Sequence, residues 1–391
     1  MGVLRTGDPR GGDVLNGADP VGICAVRIGR TKEELGLLWA QHRAWISSQR
    51  EKPEANRYRT QIDVIDTVLQ SGVEQLSIGL ESVSSLSSEI AVYEACRTFD
   101  LRILWLRRVW QFFREKFDQR DTHMAEALRA ADEVVWSCYA HIFRQTRHLT
   151  SSPQAVVPPL PFVESKYSPA AFPADLVPAG LQSEIDRPFL RQHLNRLPVP
   201  VVRLPPACVS GPWWLVYVGH EIGHNIQYDL MEHAALVDAY RDLVQRAVRV
   251  SGGTAGAENR WGEWSREIFA DIFSVLIMGA WAVWAMVELE FQSDKAMMVR
   301  REQYPSAVVR LELLAATADA MGLDGRAALR GLRPKQIAAH SAATIEDLSF
   351  VDAVVRASLG TLPGISVPLA RLCNFRLPDY QPVVGRPSRI D

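Results

Sequence analysis

The 391-residue chain is 47% apolar and 23% charged, and its 43 Lys and Arg nearly balance 45 Asp and Glu, for a formal net charge of −2. These are globular averages, which exclude a disordered chain, a collagen-like repeat and a disulfide scaffold. The missing basic excess also argues against a nucleic-acid-coating protein. Five scattered cysteines, Cys24, Cys96, Cys138, Cys208 and Cys373, never form a C-x-x-C pair. That usage fits a reducing, cytoplasmic location and leaves no cysteine-built metal site.

In chain order, residues 1–30 read as a Gly-rich flexible leader with one short strand near Ile23 to Ile28. The segment from Met1 to Asn16 lacks the apolar core of a secretory signal. Met1-Gly2 with Thr6 is a loose match to the myristoylation pattern. Residues 31–148 read as a bundle of long antiparallel helices. Ile62, Ile65, Leu69, Val73, Leu76, Leu80, Val83 and Ile90 recur at steps of three, four and seven, a coiled-coil-like stripe. The stripe serves either packing within the chain or self-association and partner docking, and the Ser-rich stretch Ser82 to Ser88 is a candidate helix break. Basic pairs such as Arg107-Arg108 and Arg300-Arg301 belong to no wider stripe and read as solvated helix faces.

Residues 149–211 form a Pro-rich extended wrap, since 13 of the 23 prolines fall between Pro153 and Pro212 and each disfavours helix. Its most strand-like piece, Val199 to Leu204, is a candidate edge strand for pairing with an extended peptide. Helices dominate residues 212–360, and 361–391 form a second Pro-rich tail. Ile272 to Val287 is a run of 16 residues without a charge. It falls short of the ~20 residues that cross a bilayer, so it reads as one buried helix, with no stable membrane insertion.

His220-Glu221-Ile222-Gly223-His224 is an H-E-x-x-H motif, with a helix start available at Ser210-Gly211-Pro212. Imidazoles at i and i+4 leave one helix face together and can share a zinc ion, with the glutamate beside the open coordination position as a base. A third protein ligand is then needed. Leu230 stands where a histidine six residues on would serve, and His233 lies about half a turn round the helix, pointing away. Downstream, Glu267 and Asp271 stand at i and i+4 in Trp264-Ser265-Arg266-Glu267-Ile268-Phe269-Ala270-Asp271. On spacing alone Glu267, Glu263 one turn earlier, or Asp271 could each supply the third ligand. The tryptophans nearby (Trp213, Trp214, Trp261, Trp264) are expected in the core rather than at a substrate surface.

H-E-x-x-H followed by E-x-x-x-D on a second helix resembles the gluzincin metallopeptidases. HEIGH then EIFAD looks most like the branch of CAAX-processing and heat-shock membrane zinc proteases. The resemblance implies that His220, His224 and Glu267 bind Zn2+, that Glu221 is the catalytic base, and that Asp271 orients one histidine. That branch carries a His-Pro and a following Arg after the glutamate helix. Here Tyr304-Pro305 and Arg310 occupy the stretch, making Tyr304 and Arg310 candidate oxyanion stabilisers, with packing before a helix as the alternative for Tyr304. The resemblance covers about residues 200–310 and does not include that branch's membrane-spanning helices.

The expected fold is mainly α (α+β), a long-helix bundle followed by a zincin-like domain with a small sheet. The expected activity is zinc-dependent hydrolysis of a peptide or protein substrate, held latent by the N-terminal helices or the Pro-rich wrap. The alternative is a zinc-stabilised, non-catalytic scaffold whose helical half binds a regulatory partner.

Overall fold

The computed structural model describes residues 20–53, 55–146, 156–182, 189, 196–231, 235–362, 364–365 and 367–373. The protein is mainly helical with one small sheet, and its chain divides into two units. The first comprises Met1–Ile62, Asp66–Gln111 and Gly180–His193; the second comprises Asp63–Ile65, Phe112–Ala179 and Leu194–Asp391.

The first unit is built on α1 (Pro20–Glu51), α2 (Ala55–Val83) and most of α3 (Glu89–Asp118). The strand expected near Ile23 to Ile28, inside the leader, is instead the start of α1. No breaker separates it from the helix that follows, and Arg27 and Thr31 are anchored to Asp100 of α3, the latter by a 2.9 Å hydrogen bond. Propensity yields here to a tertiary anchor. The apolar stripe is buried within the chain from Ile62 to Val83, but Ile90 is 72% exposed. Helix α2 ends at Val83, and the Ser-rich turn resets the register before Ile90. Buried His42 contacts Asp66 at 3.0 Å, and Asp66 also accepts from Arg50 at 3.1 Å.

In the second unit β1 (Leu160–Val163) runs parallel to β3 (Val201–Leu204), and β2 (Ala170–Phe172) lies antiparallel on its other side. The order β1-β3-β2 corrects the expectation for Val199 to Leu204, which supplies the central strand rather than an edge. Proline explains the order. Pro161 lies within β1 and Pro169 and Pro173 bracket β2, whereas residues 201–204 keep every backbone donor and can pair on both sides.

Among the described residues seven longer helices follow or flank this sheet. Helix α4 (Ala125–Gln145), expected to close the N-terminal bundle, contributes Leu128, Val135 and Ile142 to the core of the second unit. After a 3-10 turn at Pro212–Leu215 come α5 (Val216–Asp229), α6 (Ala235–Val250), α7 (Ala255–Met278) and α8 (Ala280–Glu290). The apolar run Ile272 to Val287 is therefore two helices. Gly279, at φ 62°, ends α7 and turns the chain, a conformation that favours glycine. Helices α9 (Ala307–Ala320) and α10 (Ala342–Leu359) complete the packing. Trp261, Trp264, Tyr240, Phe269 and Phe273 are fully buried around α7. No helix among the described residues is long and apolar enough to cross a membrane.

Candidate metal centre

Helices α5 and α7 meet at two small residues. A Cβ on Gly223 would lie 2.8 Å from the Ala270 Cα, so glycine is required for the helices to approach this closely. Gln227 ties the same contact, donating from Nε2 to the Arg266 carbonyl at 2.9 Å. With the backbones so near, Glu267 and Asp271 on α7 reach His220 and His224, one turn apart on α5.

The Nε2 atoms of His220 and His224 are 3.2 Å apart with their rings nearly perpendicular, at 88°. Glu267 Oε2 is 3.4 Å from His220 Nε2, and Glu267 Oε1 is 3.5 Å from His224 Nε2. One donor atom from each residue can be chosen so that all three lie within 4.8 Å of one another. Zinc bonds of about 2.0–2.1 Å put tetrahedral donors about 3.3–3.4 Å apart, close to the individual contacts of this two-imidazole, one-carboxylate group, whose donor types suit zinc. Among the alternatives open on spacing, Glu263 is exposed and outside the cluster. Asp271 takes the other side of the ring, with Oδ1 3.0 Å from His220 Nδ1, close in distance but bent as a hydrogen bond. His233 lies outside the described residues.

The site's charges are mutually supporting. Burial alone would depress the His220 pKa, but contacts with Asp271 and Glu267 outweigh it and raise the value to about 10. Burial likewise works against ionised Glu267, yet the two histidines hold it well below the usual carboxylate range. In the metal-free protein a proton thus takes the place of a cation between these groups. Asp271 is fully buried and also driven down, with Arg310 as the main opposing influence to its burial. Glu221 behaves differently. It is 7% exposed and its pKa is raised by burial, against the opposing influence of His220 and His224 and a lesser one from the Ala171 backbone N–H.

A cavity of about 670 Å³ opens over this cluster, lined by His220, Glu221, His224, Glu267, Tyr304 and, from β2, Ala170 and Ala171. Tyr304 is 39% exposed on a loop that Trp264 anchors by donating to the Arg301 carbonyl at 3.2 Å. The nearby Glu267 charge, more than burial, raises the Tyr304 pKa and keeps its hydroxyl protonated. Arg310 also borders the cavity, but its guanidinium is committed: Nε and Nη2 donate to Asp271 at 3.0 and 2.7 Å, and Nη1 to Glu290 at 3.0 Å. The oxyanion role expected of Arg310 gives way to that of a brace behind Asp271.

Sequence reasoning brought out both histidines, both glutamates, Asp271, Tyr304 and Arg310, but overlooked Gly223, Ala270, Gln227 and Glu290. The small pair had a readable signal, glycine and alanine inside two otherwise bulky apolar helices. Glu290 had none, because its contact with Arg310 depends on the turn at Gly279. None of the family models, curated proteins or solved structures compared with the chain matches it.

Proposed function

We propose that the protein is a zinc-dependent metallopeptidase. The reading rests on one observation: three candidate donor residues, with ligand atoms within 4.8 Å of one another, share a cavity with a buried glutamate, Glu221, that lies outside the triad. A zinc ion held by His220, His224 and Glu267 would supply Lewis acidity, making water more acidic and polarising a scissile carbonyl. Glu221 then accepts the proton of the attacking water and delivers it to the leaving amine, and its raised pKa suits both steps. Asp271, braced by Arg310, sets the orientation of His220. The Tyr304 hydroxyl is the donor available to a developing oxyanion. Strand β2, an edge strand whose Ala170 and Ala171 line the cavity, is the edge along which an extended peptide could pair.

The scaffold alternative leaves Glu221 unexplained, because burying a carboxyl at a raised pKa brings no benefit to a structural metal site. Replacing Glu221 with Gln separates the two. A peptidase loses hydrolysis and keeps its zinc, whereas a scaffold shows no zinc-dependent hydrolysis in either form.

A further inference from the structure

The cavity over the candidate metal centre has a cationic side that neither the zinc cluster nor Glu221 uses. Arg266 follows Glu263 on the same face of α7 and directly precedes Glu267. Arg241 extends from α6 to the same cavity. Both are partly buried, and both Nε atoms are buried without a hydrogen-bond partner. Arg266 stacks its guanidinium over the Tyr228 ring at 5.2 Å, a contact that leaves the in-plane donors free. Arg241 has one ion pair, to Asp238 at 3.2 Å on its own helix, and Asp238 is mostly solvent-exposed. A pair of that kind is weak and easily exchanged.

Both arginines border the one cavity, and both act electrostatically on the Tyr228 hydroxyl, against Asp175. Arg266 directly precedes Glu267 in the chain, lines the same cavity and also acts on Tyr304. Of the other charged groups on the walls, Arg310 is committed to Asp271 and Glu290, Arg301 is exposed at the rim, and the carboxylates outside the cluster are Glu221, the Arg310 partner Glu290 and the exposed Glu263. Arg266, stacked on an aromatic ring, and Arg241, held only by an exposed carboxylate, thus offer unsatisfied guanidinium donors to the same cavity, the chemistry that receives a carboxylate.

Building on the metallopeptidase reading, we infer that Arg266 and Arg241 form an anion-binding subsite that selects substrates presenting a carboxylate beside the scissile bond. The carboxylate has two possible sources, an Asp or Glu side chain of the peptide or its free C-terminus. The first makes the enzyme an endopeptidase with an acidic preference, and the second makes it a carboxypeptidase.

The test uses the full-length, zinc-loaded protein and four sets of peptide pools, with Glu or Gln fixed at each position and with a free or amidated C-terminus. Cleavage by wild type should favour one carboxylate source by about tenfold or more in kcat/KM, the scale of a charge-assisted hydrogen bond. Preference for Glu over Gln identifies the side chain, and preference for free acid over amide identifies the terminus. Arg266→Gln and Arg241→Gln should each collapse that ratio towards one, and Arg266→Lys should retain part of it. Binding of fluorescein-labelled pools to the Glu221→Gln variant reads the subsite without turnover, so an inactive enzyme does not hide it. Equal rates and equal affinities across all four sets would overturn the subsite while leaving the peptidase reading intact. A carboxylate preference in binding without any hydrolysis would keep the subsite and overturn the peptidase.

Discussion

Arg310 grips Asp271 through both carboxylate oxygens, at 2.7 and 3.0 Å, while the same carboxylate lies 3.0 Å from His220 Nδ1. The two residues come from α9 and α7 and are almost entirely buried. The forked pairing fixes the carboxylate, and through it the histidine ring. Arg310 is also tied to Glu290, so the orientation of one candidate zinc ligand depends on three helices.

Arg310→Gln should therefore destabilise the protein by about 3–5 kcal/mol, because it leaves the Asp271 charge buried without its partner. Arg310→Lys keeps the charge but loses the fork, and should recover only part of that loss. Thermal or urea unfolding of the metal-free variants measures the difference. Asp271→Asn in the wild-type background should weaken zinc binding about 10–100-fold while leaving His220 and His224 in place, as read by competition with a chromophoric chelator.

Gly223 sets the separation of α5 and α7. Gly223→Ala places a methyl against the Ala270 backbone and should cost about 1–3 kcal/mol, with zinc affinity lost as Glu267 is pushed away. Gly219→Ala is the control. Its added Cβ meets only the Met278 side chain at close range, Cγ at 3.0 Å and Cε at 3.2 Å, and that side chain can yield. Equal zinc loss in both variants would contradict the close-approach account.

Zinc binding should release protons, because His220 is protonated in the metal-free protein up to about pH 10. Apparent zinc affinity should rise steeply between pH 6 and 9 (about tenfold per unit), measurable by calorimetry in buffers of different ionisation enthalpy. The sign for stability follows from the same raised pKa. In metal-free protein the His220 contribution is complete below its unfolded value of about 6.5 and fades as pH climbs towards about 10. A metal-free protein whose stability rises across that window would contradict the assignment.

Removing metal with a chelator should abolish hydrolysis and lower the unfolding temperature, since the charged cluster then relies on a proton for neutrality. Added zinc should restore both. The stabilisation should scale with free zinc as expected for a ligand that binds only the folded state.

The site was more legible in the sequence than the frame that holds it. His220, Glu221 and His224 are local, their joint projection following from helical periodicity alone, and Glu267 with Asp271 repeats the same i, i+4 logic on a second helix. What stayed hidden depends on long-range geometry. Whether Glu263, Glu267 or Asp271 faced the histidines was decided by how closely α7 approaches α5 at Gly223 and Ala270. Arg310 was noticed for the right neighbourhood but given the wrong partner, because the nearness of Asp271 and Glu290 depends on the turn at Gly279. In the sheet, the prolines that mark β1 and β2 as edges were visible, yet the most strand-like segment, Val199 to Leu204, drew the edge assignment. An apolar strand without proline is the natural centre of such a sheet. Ile90 failed for a related reason, since a repeat cannot hold its register across the Ser-rich turn.

The most direct test of the central claim compares metal content and peptide hydrolysis of the wild-type protein with Glu221→Gln. The account predicts about one zinc per chain in both, cleavage of a peptide library by wild type, and a rate loss of at least about 10²-fold in Glu221→Gln. Undiminished cleavage by Glu221→Gln, or a wild-type protein that takes up no zinc, would contradict it.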